Sequence, residues 1–187
     1  MSMIGKKNVV FGFLFLVISA SLGPLMIIEY TPGVTLAQDK KQVDVGRLQT
    51  LQADDFEEDL DPLPADAIAK ANTAGILALN NLVNANQPID MAKIPHTHGN
   101  LESLLNIAVG IALGFIAVPL LFKQAISWIF IVGTLLHSGV MFLAVIVEQA
   151  WALAILNSGV GPALILLGLL LMGIAAAMGF KGEIVQD

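Results

Sequence analysis

The strongest constraint on the fold is a set of apolar stretches, each about long enough to cross the roughly 30 Å hydrocarbon core of a bilayer. There are four of them: Val9 to Ile28, Leu104 to Phe122, Ile126 to Val147 and Val160 to Phe180. With 56% hydrophobic and only 13% charged residues, the chain carries more apolar surface than a soluble domain of 187 residues buries. A segment in lipid must satisfy its own backbone, so each stretch is predicted to be helical. The predicted fold is therefore an all-α integral membrane four-helix bundle.

The placement of lysine predicts the orientation of these helices. Lys6 and Lys7 precede the first stretch, Lys123 lies between the second and third, and Lys181 follows the fourth. Lysine and arginine near the ends of membrane spans stay on the cytoplasmic side. We therefore expect a multi-pass protein of the cytoplasmic (inner) membrane with both termini in the cytoplasm. A short turn around Lys123 would make the second and third helices antiparallel neighbours.

A long polar segment separates the first and second stretches, and we expect it to be an external loop. Irregular structure is expected at Thr31-Pro32-Gly33 and from Asp54 to Asp61, followed by a short amphipathic helix from Ala65 to Asn84. The net negative charge of this loop argues against nucleic acid as a partner. The chain is thus divided into a first transmembrane helix or signal anchor at 1–29, an external acidic region at 30–97 and a three-helix membrane region at 98–187.

Two properties of the first region stay open. Lys6 and Lys7 before an apolar run, with Thr35-Leu36-Ala37 beyond it, also fit a cleaved signal peptide, although the length of the run favours a retained helix. The chain contains no cysteine, which excludes disulfides, thiolate chemistry and cysteine-held zinc or iron–sulfur centres.

Small residues at helix-contact spacing predict close helix packing. Gly110 and Gly114 lie on the second stretch, and Gly173 and Ala177 lie on the fourth. Small side chains let helix backbones approach each other in lipid, either within a protomer or between protomers. Besides the lipid bilayer, we therefore expect a second copy of the chain or another membrane protein as a partner.

Polar residues inside the second and third stretches mark the candidate site. His98, Glu102 and Asn106 follow one another at four-residue spacing on one helix face, and His137 lies within the third stretch. Polar groups in lipid are costly and need partners within the protein, so they are functional candidates. At 1.5 Å per residue, Asn106 and His137 should lie at similar depth, with His98 about 10 to 15 Å closer to the outer surface. That spacing argues against one metal ion bound by both histidines, unless the second helix starts deeper in the membrane than this estimate assumes.

Several chemistries suit these groups. An imidazole can ligate haem iron or a divalent metal ion, and a nearby carboxylate or amide can hold its other nitrogen. A ladder of these side chains could instead relay protons, or act as general acid and base on a small apolar substrate. An ordinary structural role is also open, with hydrated histidines at the interface and one interhelical hydrogen bond between Asn106 and His137. We expect the helix that carries the ladder to begin near His96, with Pro95 in its first turn.

The segment from Pro95 to Gly110, PHTHGNLESLLNIAVG, resembles the second-helix motif of a family of small four-helix membrane proteins that includes the styrene oxide isomerases. The resemblance implies that His98 is the axial ligand to haem b. The positions that match the catalytic Asn and Tyr of that family hold Leu104 and either Phe142 or Leu143. The resemblance therefore implies a haem-binding membrane bundle more than epoxide isomerisation.

The sequence thus predicts an outward-facing polar site that binds haem b or a metal ion through His98, with Glu102, Asn106 and His137 as supporting residues. If the protein is an enzyme, an isomerisation or a redox step at the metal suits the site better than hydrolysis, since no activated nucleophile is visible. The alternative is a noncatalytic subunit of a larger membrane complex that docks through its external region.

Overall fold

The computed structural model describes residues 3–59 and 61–185, and helix accounts for most of them. The all-α prediction is confirmed, since the strands among the described residues are the two-residue pair Glu57–Glu58 and Asp61–Pro62. The chain divides into two compact units. One comprises Met1–Gly23 with Ala92–Asp187, and the other comprises Pro24–Met91.

Three helices are long and apolar enough to cross a membrane, namely Ile4–Ala53, Leu120–Val145 and Val160–Gly179. The last of these matches the fourth predicted span almost residue for residue. The second predicted span, Leu104 to Phe122, is wrong as a continuous helix because regular helix ends at Ala112.

The first unit is built from helices joined by short connections. Its elements are α1 (Met3–Leu25), the C-terminal part of α3 (Ala65–Ala112), α4 (Leu120–Thr134), a π-helical turn (Leu135–Gly139), α5 (Val140–Val145), α6 (Ala150–Asn157) and α7 (Val160–Gly179). Fully buried side chains from Leu113, Ile116, Ile126 and Phe130 form its core, and α7 packs along α4 over this core. Helices α1, α3, α4 and α7 therefore all contribute to one apolar core.

The connection between α3 and α4 differs from its predicted position. A 3-10 turn, Leu113–Phe115, follows α3, and Ile116 is extended and pairs with Phe180. Proline disfavours helix at the residue before it, and Pro119 accordingly stands just before α4. The predicted turn around Lys123 is wrong, because Lys123 lies buried in the first turn of α4. Moving the turn also moves the register of the two helices against each other.

Glycines bring α1 and α3 into close contact. A Cβ atom on Gly5 would clash with the carbonyl oxygen of Gly110, and one on Gly12 would lie 2.6 Å from the carbonyl oxygen of Ser103. Gly110 thus lets α1 pack against α3 within one protomer, which is one of the two kinds of packing predicted from the small residues. Gly114 and Gly173, by contrast, would meet nothing within 4 Å.

The second unit is helical where a loop was predicted. A π-helical turn, Met26–Tyr30, leads into α2 (Thr31–Ala53), so the irregular structure predicted at Thr31-Pro32-Gly33 is wrong. Pro32 lies at the start of α2, directly after the π-helical turn, so the hydrogen bond that its missing N–H cannot make falls where the regular helical pattern is already interrupted. The segment after α2 is irregular as predicted, and β1 (Glu57–Glu58) and β2 (Asp61–Pro62) form a small hairpin there.

Helix α3 is much longer than the short amphipathic helix predicted for this region. It begins at Ala65, directly after Pro64, and runs without interruption to Ala112. The expectation that a new helix begins near His96 is therefore wrong. Pro88 and Pro95 each remove one backbone hydrogen bond, a loss that a long helix with many remaining bonds tolerates.

Candidate functional site

The structure brings three of the four predicted site residues together in the first unit. His98 and Glu102 lie one turn apart on α3, and His137 reaches them from the π-helical turn after α4. Potential metal-ligating atoms of these three side chains all lie within 4.8 Å of one another. The rings of His98 and His137 meet edge to face with their centroids 4.9 Å apart.

Glu102 is the centre of this cluster. Its side chain is only 4% exposed, and its Oε1 atom lies 2.5 Å from Nδ1 of His137. Without a proton, the carboxylate oxygen and the imidazole nitrogen can only accept, so this contact requires one proton between the two atoms. The Ser138 hydroxyl donates to the other carboxylate oxygen, Oε2, over 2.7 Å. Both oxygens of the buried carboxylate are therefore satisfied, as burial of a charged group demands.

The π-helical turn, Leu135–Gly139, explains how two consecutive residues can serve the same carboxylate. Such turns carry one extra residue and occur frequently at functional sites. Here the turn directs both His137 and Ser138 towards Glu102. Helix α7 approaches this turn at Gly161, where a Cβ atom would lie 2.5 Å from the carbonyl oxygen of Leu136. A glycine at this position lets α7 pack directly against the backbone of the turn.

Asn106, the fourth predicted site residue, lies one helical turn from the cluster and makes different contacts. Its Nδ2 atom donates to the backbone oxygen of Glu102 over 3.0 Å and to Oγ1 of Thr134 over 2.9 Å. Its Oδ1 atom accepts a hydrogen bond from Asn8 over 3.1 Å. Asn106 therefore joins α1, α3 and α4 rather than the group of potential metal ligands.

Asn8 and Ser127 complete this second polar layer. Nδ2 of Asn8 also donates to the backbone oxygen of Ser127 over 3.1 Å, and the Ser127 hydroxyl donates to Oδ1 of Asn8. All four side chains of the layer are fully buried. Because each amide donates to a backbone carbonyl, which can only accept, the orientation of both amides is fixed. The layer is a closed set of hydrogen bonds that ties three helices together.

His96 belongs to a separate contact between α3 and α1. Its Nδ1 atom lies 2.8 Å from the backbone oxygen of Ser19, so Nδ1 carries the proton. The Ser19 hydroxyl donates to Asn100, which follows His96 by one turn. His96 thus faces α1, whereas His98 faces the cluster.

The predicted depths of the site residues are wrong in one respect. Asn106 was expected opposite His137, with His98 well above both, but Glu102 and His98 lie opposite His137 and Asn106 lies opposite Thr134. The cause is the turn between the helices. The observed pairs Glu102–His137 and Asn106–Thr134 are centred on Pro119 and Leu120, whereas the expected pair Asn106–His137 is centred between Leu121 and Phe122, so the register differs by about one helical turn.

The contacts of the cluster suit a divalent metal ion. Two imidazoles and one carboxylate are a common ligand set for first-row divalent metals. Neither nitrogen of His98 is hydrogen-bonded to any part of the chain that the structure describes, so that ring is available as a ligand. Ser138 holds the carboxylate in place, as a group next to a metal ligand often does.

Comparison of this chain with protein-family models, with curated proteins and with solved structures finds no match. The resemblance of the Pro95–Gly110 segment to the styrene oxide isomerases therefore stays a prediction.

The sequence interpretation did not assign roles to Asn8, Ser127 or Ser138. Asn8 lies just before the first apolar stretch, where it reads as part of a solvated end. A polar side chain one residue outside a span is a weak signal by itself. Ser138 follows His137 directly, and in a regular helix adjacent residues point in different directions, so only the π-helical turn reveals their shared target.

Proposed function

We propose that this chain is an integral membrane protein in which α1, the C-terminal part of α3, α4 with α5, and α7 form a four-helix bundle that binds a divalent metal ion. His98, Glu102 and His137 are its protein ligands. The observation that carries the proposal is the convergence of these three side chains, whose potential ligand atoms lie within 4.8 Å of one another. The basic residues Lys6, Lys7 and Lys181 support a cytoplasmic-membrane location with both termini inside.

A metal ion resolves the electrostatics of the cluster. A carboxylate at 4% exposure between imidazoles is costly unless a positive charge accompanies it. An ion bound to Oε1 of Glu102 and Nδ1 of His137 replaces the proton between these atoms. Adjacent ligands of a tetrahedral ion lie about 3.4 Å apart, since each is about 2.1 Å from the metal. The two atoms must then separate by about 0.9 Å from the 2.5 Å that the structure gives.

The geometry favours a single ion over the haem b that the family resemblance implies. A haem on His98 needs a wide, flat space at right angles to its iron–nitrogen bond. The ring of His137 lies 4.9 Å from that of His98, and Glu102 is in contact with His137, so the side of His98 that faces these residues holds ligands for an ion instead. A Lewis acid at this position would polarise a bound water or substrate.

The test is purification of the full chain in mild detergent, followed by metal analysis and an absorption spectrum. We expect about one divalent ion per chain and loss of at least tenfold in affinity in His98→Ala and His137→Ala. His96→Ala is the matched control, because His96 is two residues away and bonds to Ser19 instead. It should retain the metal, and a melting curve of each metal-free variant should show that all remain folded.

Two outcomes would contradict the proposal. A Soret band that disappears in His98→Ala but not in His96→Ala would establish haem in place of the ion. A colourless preparation that contains no metal, even after incubation with zinc, iron(II) or manganese, would rule out both the ion and haem.

A second candidate is a noncatalytic subunit of a membrane complex, and it is favoured by the exposed apolar side chains of the second unit. Leu36 and Val43 on α2 are 73% and 70% exposed, and Ile76 and Val83 on α3 are 66% and 68% exposed. Exposed apolar surface of this kind often marks an interaction site. Co-purification of a stoichiometric partner with metal-free protein would support this role over metal binding.

A further inference from the structure

We infer that the proposed metal ion keeps at least one coordination position open, and that this position takes an ionised water or another small monovalent anion. The inference rests on the proposed function, because it concerns the same site. It goes further by assigning the class of ligand that the site receives from outside the chain.

The number of protein ligands leaves a coordination position for a ligand from outside the chain. Structural zinc sites have four protein ligands, whereas sites that bind an exchangeable ligand have three. His98, Glu102 and His137 supply three. Among the described residues next to them, Asn106 is committed to Thr134 and Asn8, and His96 is turned towards α1. Among the described residues, the His, Asp and Glu side chains that meet at the cluster therefore number three.

Glu102 would bind the ion through one oxygen atom only. A carboxylate can occupy one or two positions on a metal ion, and two would close the site. The Ser138 hydroxyl donates to Oε2 over 2.7 Å, while Oε1 faces His137. A hydrogen bond from a buried hydroxyl holds Oε2 away from the ion, so Glu102 binds through Oε1 alone. Ser138 is a positioning residue that preserves the open position.

The protein ligands would neutralise only part of the charge of a divalent ion. A divalent ion with one carboxylate and two neutral imidazoles carries a net charge of about +1, by the protonation states that metal ligands adopt. The cluster contains no second acidic residue among those described. An unbalanced positive charge in an apolar bundle favours an anion at the remaining position, and it lowers the pKa of a bound water so that hydroxide can fill this role. The His137 side chain is 13% exposed, so the cluster is not completely sealed from its surroundings.

The experiment uses the full chain loaded with Co²⁺, whose visible bands report coordination number, and azide as the anion. We expect addition of azide to shift these bands with saturation at one azide per metal. In Ser138→Ala, Oε2 is free to bind the ion, so Co²⁺ should bind within about threefold of the original affinity while azide affinity falls at least fivefold. Ser103→Ala is the control, because that buried hydroxyl on α3 donates to the backbone of Gly99 instead.

The possible results distinguish failure of the open coordination position from failure of the metal site. Failure of Co²⁺ to bind would overturn the metal site itself. Bound Co²⁺ whose bands are unaffected by azide would overturn the open position alone. Equal azide affinity in Ser138→Ala and the unmodified chain would overturn the role assigned to Ser138.

Discussion

The hydrogen bond between Asn8 and Asn106 gives the sharpest test of the packing that positions the site. Replacing Asn106 with leucine removes its interhelical bonds to Thr134 and to Asn8. Such bonds contribute on average about 0.6 kcal/mol each in membrane bundles. The change also leaves one N–H of Asn8 buried without an acceptor, which costs about 1–3 kcal/mol. We therefore expect Asn106→Leu to lower the free energy of unfolding by about 2–4 kcal/mol.

The double variant distinguishes a bonded pair from two independent polar residues. Asn8→Leu alone should cost a similar amount, since it leaves Oδ1 of Asn106 without a donor. With both residues changed, neither orphaned group remains, and the Ser127 hydroxyl can turn to a carbonyl in its own helix. The double variant should then be at least about 1.5 kcal/mol more stable than the sum of the single effects predicts.

The assay is unfolding of the purified protein by SDS in mixed micelles, followed by far-ultraviolet circular dichroism. Costs that add without coupling would refute the reasoning, because they would mean that the two amides do not share a hydrogen bond. Alanine at the exposed Ser21 of α1 serves as the control, since its hydroxyl donates only within its own helix and the change should be close to neutral.

Three further predictions concern packing, ligand linkage and topology. Gly161→Ala should destabilise the protein by about 1–3 kcal/mol and weaken metal binding, because the added methyl group meets the backbone of the π-helical turn. Gly173→Ala on the same helix is the control and should leave both stability and metal binding unchanged. A divalent metal ion at 100 times its dissociation constant should stabilise the protein by about 2.7 kcal/mol in the same titration, and His137→Ala should abolish this effect. Because the chain has no cysteine, a single cysteine variant has one thiol that a maleimide can label. A membrane-impermeant maleimide on intact cells should label Glu57→Cys but not Gly182→Cys. The reverse pattern would refute the proposed orientation.

The sequence predicted the helical class and the polar residues of the site for clear physical reasons. Long apolar runs admit few solutions other than helix, because backbone groups away from water must bond within the segment. Val160 to Phe180 illustrates this, since α7 ends within one residue of the prediction. His98, Glu102 and His137 stood out because polar side chains are rare in such runs.

The sequence could not predict how these residues meet, because that depends on where one helix turns into the next. Pro119 favours a break just before α4 and Lys123 favours a turn at the membrane surface, and the choice between these two signals decides whether His137 faces Asn106 or Glu102. The long helix α3 raises the same difficulty, since Pro88 and Pro95 read as breaks but lie inside it.

The sequence by itself determined that the chain is helical, that its apolar segments favour a membrane and that a few polar side chains must find partners among them. Only the tertiary structure decided which partners they find. The close approach of α1 and α3 at Gly5 and Gly110, the early turn before α4 and the π-helical turn at His137 together fix the register. Helical periodicity assigns a residue to a face, but its height relative to another helix comes from contacts distant in sequence, and that height assembles the His98–Glu102–His137 cluster.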